Sequence, residues 1–251
     1  MTKVQNPIVV IPVRLASKRF PGKPLADIKG EPMVVHVLRR AEEAGIGPVL
    51  VACEDEAIGV AVEAAGGHWI LTRSDHASGS DRIFEAVSAI DPDGKHDIVV
   101  NLQGDLPFLS PKAIKAALLP FEDPDVDIAT LASPIENEEE LNDLHVVKVA
   151  IEIETGAKLG RALSFSRNPV PGGDGPSYHH IGLYAYRRAA LESFVSLPQT
   201  TSEREQRLEQ LRALEAGMRI DIALVDTVPL GVDTHQDLVR AIELSGLGKD
   251  G

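Results

Sequence analysis

Three short runs of almost unbroken branched aliphatic residues set the outer limits on what this chain can become. They are Ile8–Val13 (IVVIPV), Pro48–Cys53 (PVLVAC) and Asp97–Leu102 (DIVVNL). A strand that is apolar at every residue, and not at alternate ones, needs cover on both faces, which is the situation of a parallel sheet packed between helices. Helical segments stand where such a sheet needs its crossovers. Pro32–Ala44 has proline in its first turn and Gly45 just past its end. Asp55–Ala65 is stopped by Gly66-Gly67, and Ser80–Ile90 precedes the third run; His68–Leu71 reads as a further short strand. The first half is therefore predicted to be a run of βαβ units.

The pattern changes after about residue 125. Strands are predicted at Asp127–Ala132, Val146–Ile153 and Ala162–Phe165, without full helices between them. A Pro/Gly-rich loop (168–177), a strand at Ile181–Tyr186, a helix over about Glu203–Ala216, a strand at Ile220–Val225 and a helix from Thr234 complete the chain. Strands that follow one another this closely imply an antiparallel or mixed extension of the parallel sheet. No linker, repeat or low-complexity tract interrupts the 251 residues, so one α/β domain (1–251) is expected, with 130–200 as an elaboration.

Composition narrows the function. A formal net charge of -13 disfavours general binding to nucleic acid or to a membrane surface, because phosphate backbones reward positive surfaces. One cysteine, Cys53, excludes an internal disulfide and a CxxC metal pair, and suits a reducing compartment. The apolar run near the N-terminus is too short for a signal-peptide core or a membrane span, so a cytoplasmic protein is expected.

Against this acidic background, residues 11–25 (IPVRLASKRFPGKPL) gather Arg14, Lys18, Arg19 and Lys23 directly after the first strand. Ligands of such sheets bind outside the carboxyl ends of the strands. A cationic loop there, with Gly22 for close backbone approach and Pro21 and Pro24 for stiffness, suits a polyphosphate. The loop lacks GxxxxGK[ST] and GxGxxG, which argues against a Walker site and a dinucleotide site. Two acidic positions stand out. Asp105 in NLQGDLP follows the third apolar strand, and Asp233 in GVDT precedes Thr234, a candidate N-cap of the last helix. Two carboxylates from separate loops could share one Mg²⁺ with nucleotide phosphates; read alone, Asp105 could also be a turn residue and Asp233 a helix-start residue. A polar loop, TRSDHASGSDR (72–82), could present backbone and hydroxyl groups to a nucleobase.

The run PVRLASKRFPGKPLADIKGEPMVVHVLRRA resembles the start of the CMP-Kdo synthetases (3-deoxy-manno-octulosonate cytidylyltransferases). The likeness continues in order through TRSDHASGSDR, VVNLQGDLPF, HHIGLYAYRR, LEQLRALEAG and VPLGVDT, nearly the whole chain. It implies a Rossmann-like three-layer nucleotide-diphospho-sugar transferase fold, with a mostly parallel central sheet and a mixed or antiparallel extension serving sugar binding and dimerisation. It implies CMP transfer from CTP to Kdo, with release of pyrophosphate, for lipopolysaccharide biosynthesis, by a cytoplasmic, Mg²⁺-dependent homodimer.

Site residues carried over by the resemblance are Arg14, Ser17, Arg19, Lys23, Arg73, Ser78 and Gln103 for CTP, with Asp105 and Asp233 as metal ligands. Arg19, Lys23, Asp105 and Asp233 form the catalytic set. On the sugar side stand Arg167, His180, Tyr184, Glu209 and Gln210. Arg167 follows a strand and suits a carboxylate as a bidentate partner. Strand alternation puts His180, Gly182 and Tyr184 on one face, and Glu209 and Gln210 are expected in mid-helix. The chain departs from the family pattern at Cys53-Glu54, where Thr-Asp is frequent, at Leu106 in GDLP, and at Gln206, where glutamate is common. Two other readings are CMP transfer to 8-amino-Kdo or sialic acid, and a non-catalytic sugar-nucleotide-binding protein.

Overall fold

The computed structural model describes residues 5–16, 19–169 and 176–247. Contacts group the chain into two compact units, one of 4–114 with 229–251 and one built mainly of 115–228. The expected elaboration at 130–200 falls inside the second.

The first unit holds strands β1 (Pro7–Val13), β2 (Asp27–Ile28), β3 (Glu31–Pro32), β4 (Val49–Cys53), β5 (His68–Leu71) and β6 (Ile98–Asn101). Its helices are α1 (Met33–Ala44), α2 (Glu56–Ala64), α3 (Gly79–Ile90), the first four residues of α4 (Pro111–Ala116) and a C-terminal helix, His235–Leu247. β1 pairs in parallel with β4 on one side and β6 on the other, and β4 pairs in parallel with β5. Every residue of β1, β4 and β6 is buried, as two-sided cover requires. The glycine stop after α1 acts as expected, while the two N-caps, Asp55 and Ser78, were not named in the sequence. Gly45 takes a left-handed conformation (φ 59°) and closes α1 by donating to Glu42. Asp55 caps α2, and Ser78 caps α3 in a reciprocal box with Asp81.

The second unit carries β7 (Ile128–Pro134), β8 (Lys148–Glu152), β9 (Leu159–Ser166), β10 (Tyr178–Arg187) and β11 (Ile220–Leu224) in the order β10-β7-β11-β9-β8. β7 and β11 run parallel; the other neighbours, and a further contact of β8 with the start of β10, are antiparallel. This is the mixed pairing predicted for the second half. Between the strands lie α5 (Glu138–Asn142), α6 (Arg188–Ser196), α7 (Thr201–Gln206) and α8 (Gln210–Glu215).

One expectation is corrected here. The single helix over 203–216 is two helices, because Arg207 adopts a left-handed conformation (φ 55°) and ends α7. Glu209 and Gln210 therefore stand at the start of α8 and not in mid-helix. A buried ion pair, Glu203 with Arg212, ties the two helices, and the Arg212 guanidinium lies 4.6 Å from the centre of the Phe194 ring. The helices α4, α5 and α6 went unread in the sequence; all three are short. Among the described residues no helix is long and apolar enough to cross a membrane.

Candidate active site at the carboxyl ends of the parallel strands

In the first unit a cleft of about 300 Å³ opens where β1 and β6 end. Its walls come from Arg14, Arg19 and Lys23 of the loop after β1, from His76, Ser78, Gly79 and Arg82 at the start of α3, and from Gln103, Asp105 and Asp233.

The loop after β1 is pinned by an apolar anchor. Phe20 is buried in a cluster with Ile28, Met33, Val232 and Ala241, and its ring lies 3.9 Å from that of His235. Gly22 turns the chain in a left-handed conformation (φ 74°) that lets a 3-10 turn start at Lys23. The same cluster brings in the segment that carries Asp233. Val232 donates its N–H to the Asp105 carbonyl at 2.9 Å, so the two acidic loops are joined by backbone as well as by packing. Thr234 caps the C-terminal helix as expected, in a reciprocal box with Asp237.

The result is convergence of distant charges. Lys23 Nζ lies 3.1 Å from Asp105 Oδ2 and 3.2 Å from Asp233 Oδ1, and Arg19 Nη2 lies 3.0 Å from Asp233 Oδ2. Gly104 permits this approach: a Cβ there would stand 2.3 Å from Val13 Cγ1 and 3.2 Å from the Pro12 carbonyl oxygen. Gln103 Nε2 donates to Asn101 Oδ1, which orients its amide. The opening of α3, capped by Ser78, contributes N–H dipoles to the same cleft, a setting that favours anions.

Most of the nucleotide-side candidates thus line one cleft: Arg14, Arg19, Lys23, Ser78, Gln103, Asp105 and Asp233. Ser17 lies outside the described residues, as does Lys18, and so does the 170–175 part of the Pro/Gly-rich loop. The Arg73 side chain is exposed, between Asp75 and Glu85, and is not among the lining residues. Arg82 lines the cleft and went unread in the sequence, although its spacing four residues after Ser78 puts it on the same helix face. Its guanidinium is nearly fully buried, donating to Thr72 Oγ1, to the Arg73 carbonyl and, at 3.1 Å, to Glu54 Oε2. Glu54, one of the departures from the family pattern, is therefore the counter-charge of a buried arginine. His76 was also missed; it lines the cleft and pairs with Glu85.

The sugar-side candidates belong to the second unit. His180 and Tyr184 have ring centres 5.5 Å apart, and Phe165 meets His180 edge-on at 4.9 Å. Burial pushes the His180 imidazole down to about 3. Burial also raises the Tyr184 phenol well above its ordinary range, helped by Tyr186 and by the Glu209 carboxylate. Gln210 is buried, and its Nε2 has no hydrogen-bond partner. Arg167 is tied down: Nε donates to the Gln206 carbonyl at 2.8 Å and Nη1 to the Leu144 carbonyl at 3.2 Å, while its own N–H donates to Gln206 Oε1. Gln206, another departure from the family pattern, adds its side-chain oxygen to these contacts only at the Arg167 backbone N–H; the guanidinium is held by backbone carbonyls. The buried Lys148, also missed, donates to the Arg167 carbonyl at 2.7 Å.

Among the described residues no three His, Cys, Asp or Glu side chains cluster as a self-sufficient metal site. Two hard carboxylates that already face one cation, Lys23, are the donor set expected for Mg²⁺ completed by phosphate and water oxygens, so the residues fit that ion.

A family model described as Cytidylyltransferase matches residues 8–220. The 3-deoxy-manno-octulosonate cytidylyltransferase of Paramagnetospirillum magneticum is 59% identical over 236 residues, covering 94% of this chain and 96% of that protein. The protein of the same name from Rhodopseudomonas palustris strain BisB18 is 61% identical over 241 residues, covering 96% and 98%. Among solved structures, CMP:2-keto-3-deoxy-manno-octonic acid synthetase complexed with CTP superimposes with a TM-score of 0.88 at 38% identity, covering 97% of this chain and 99% of that one. A 4-diphosphocytidyl-2C-methyl-D-erythritol synthase from Anaerococcus prevotii, 11% identical with a TM-score of 0.65, shares the fold.

Proposed function

The chain belongs to the cytidylyltransferases and, within them, to the 3-deoxy-manno-octulosonate cytidylyltransferases, and from that premise we propose how its two sets of residues carry out CMP transfer. The reaction is CTP + Kdo giving CMP-Kdo and pyrophosphate, the activation that makes Kdo available for lipopolysaccharide synthesis. The anomeric hydroxyl oxygen of the sugar forms a bond to the α-phosphorus, the bond from that phosphorus to the bridging oxygen breaks, pyrophosphate leaves, and the hydroxyl proton passes to solvent.

The observation that carries the reading is the convergence of Arg19, Lys23, Asp105 and Asp233 in one cleft at the ends of parallel strands. Arg14, Arg19 and Lys23 neutralise the charge that grows on the β- and γ-phosphates as pyrophosphate departs. The start of α3, with Ser78 and Gly79, and the amide of Gln103 hold the nucleoside end. Asp105 and Asp233 would hold Mg²⁺, which when bound supplies Lewis-acid stabilisation of the α-phosphate and acidifies the attacking hydroxyl. On the sugar side, His180, Tyr184, Glu209 and Gln210 offer hydrogen bonds to hydroxyls, and Arg167 offers its remaining guanidinium edge to the carboxylate. Most of the rate enhancement comes from positioning and electrostatics, with no nucleophilic side chain involved.

The helices flanking the parallel strands support a Rossmann-like, layered core for the first unit. Family likeness supports a cytoplasmic homodimer. Pyrophosphate release from CTP and Mg²⁺ with a panel of acidic sugars tests the function. Turnover should be greatest with Kdo; faster release with sialic acid or 8-amino-Kdo would reassign the substrate, and CTP binding without release would point to a non-catalytic protein.

A further inference from the structure

In a regular strand, residues four apart are separated by about 13 Å along the chain, yet the rings of His180 and Tyr184 are 5.5 Å apart. The cause is a bulge. Ile181 of β10 stands opposite Leu131 of β7, and the next partner pair is Tyr184 with Thr130, so two residues of β10 loop out against none on β7. The carbonyls of such a bulge lose their ladder partners. Thr130, fully buried, fills the gap: its Oγ1 lies 2.7 Å from the Leu183 carbonyl oxygen, 3.2 Å from that of Ile181, and 3.0 Å from His180 Nε2.

These distances fix the protons. A carbonyl oxygen cannot donate, so two oxygens 2.7 Å apart require the one hydroxyl proton of Thr130 to point at Leu183. The contact to His180 must then be an Nε2–H donating to Thr130 Oγ1. We propose that Thr130 is a positioning residue for the acceptor sugar: it pins the bulge that brings His180 and Tyr184 together and locks His180 in the neutral Nε2–H tautomer, leaving Nδ1 as a hydrogen-bond acceptor for a sugar hydroxyl. The place of His180 in sugar binding rests on the function proposed above; the tautomer and its cause do not. The low proton affinity of the buried ring agrees with a neutral imidazole. Specificity follows, because a fixed lone pair accepts from a hydroxyl and does nothing for a sugar that lacks one there.

The test is long-range ¹H–¹⁵N correlation on the ¹⁵N-labelled intact protein, combined with steady-state kinetics. His180 should show a protonated Nε2 and an unprotonated Nδ1 in the wild type. Thr130→Val should shift that signature and raise the KM for the sugar by about five- to tenfold, the loss of one aligned hydrogen bond, with the KM for CTP unmoved. Thr130→Ser should restore both. An Nδ1–H or doubly protonated ring in the wild type overturns the proposal without any variant, and so does an unshifted signature in a folded Thr130→Val. The stated tautomer with an unmoved sugar KM in Thr130→Val also overturns it; if His180→Ala leaves that KM unmoved too, the error lies in the sugar-site reading and not in the tautomer.

Discussion

Asp105 and Asp233 accept from one ammonium: Lys23 Nζ is 3.1 Å from the first and 3.2 Å from the second, although Lys23 is 82 and 210 residues away from them along the chain. Like charges this close repel unless a cation stands between them. The pair is held in place by the Val232 to Asp105 backbone hydrogen bond and by the Phe20 cluster.

If these carboxylates serve the transferring phosphoryl group, removing either one costs chemistry and not fold. Asp105→Ala and Asp233→Ala are each expected to lower kcat for pyrophosphate release by at least about 100-fold. Far-ultraviolet circular dichroism and thermal melts should stay close to wild type, since both side chains are part-exposed. Turnover near the wild-type value in Asp105→Ala would refute the metal role.

Lys23→Met should act in two ways. It leaves two facing carboxylates without their shared cation, which is expected to cost about 1 kcal/mol of stability in the absence of nucleotide. It also removes a phosphate contact and should raise the KM for CTP. Chemical denaturation and initial-rate kinetics measure the two effects separately, and a variant with unchanged CTP KM would exclude Lys23 from the triphosphate site.

Gly104 is required by proximity and not by backbone angle. A methyl group there would stand 2.3 Å from Val13 Cγ1, so the loop that carries Asp105 would have to move away from β1. Gly104→Ala is expected to cost about 1–3 kcal/mol and to weaken CTP binding, both readable by melting with and without CTP. A stable variant with normal CTP affinity would show that the loop has room that the packing does not reveal.

His180 makes folding sensitive to acid. Its folded pKa, lowered by burial to about 3, lies below the ordinary value of 6.5. The unfolded chain therefore takes up a proton below pH 6.5 that the folded chain refuses until about pH 3. The associated stability is intact above pH 6.5 and falls as pH drops toward 3, by about 2 kcal/mol at pH 5. Urea unfolding at pH 7.5 and pH 5 should show a smaller loss in His180→Gln than in the wild type. Equal losses would mean that the ring is protonated in the folded state.

Much of the first unit was readable because its signals are local. Unbroken Val and Ile runs, and glycines after α1 and α2, act within a few residues of themselves. The loop cations and the two aspartates were legible as candidates from their position after strands, and Gln103 only from the family resemblance. Arg73 and Arg82 show the limit of that reading: both are cationic and close in sequence, but only helical geometry and a buried partner, Glu54, turn Arg82 into the cleft and leave Arg73 exposed.

By itself, then, the sequence determined the alternation of strands and helices in the first half, the parallel character of the first strands, the family, and which residue types could meet a triphosphate and a sugar acid. Tertiary structure alone decided that Asp105 and Asp233 converge on Lys23, that the helix expected over 203–216 breaks at Arg207, and that a bulge pinned by Thr130 brings His180 to Tyr184. The physical reason is range: propensity and capping are set by neighbours in the chain, whereas a charge, a proton position or a ring contact depends on partners that only packing brings within a few ångströms.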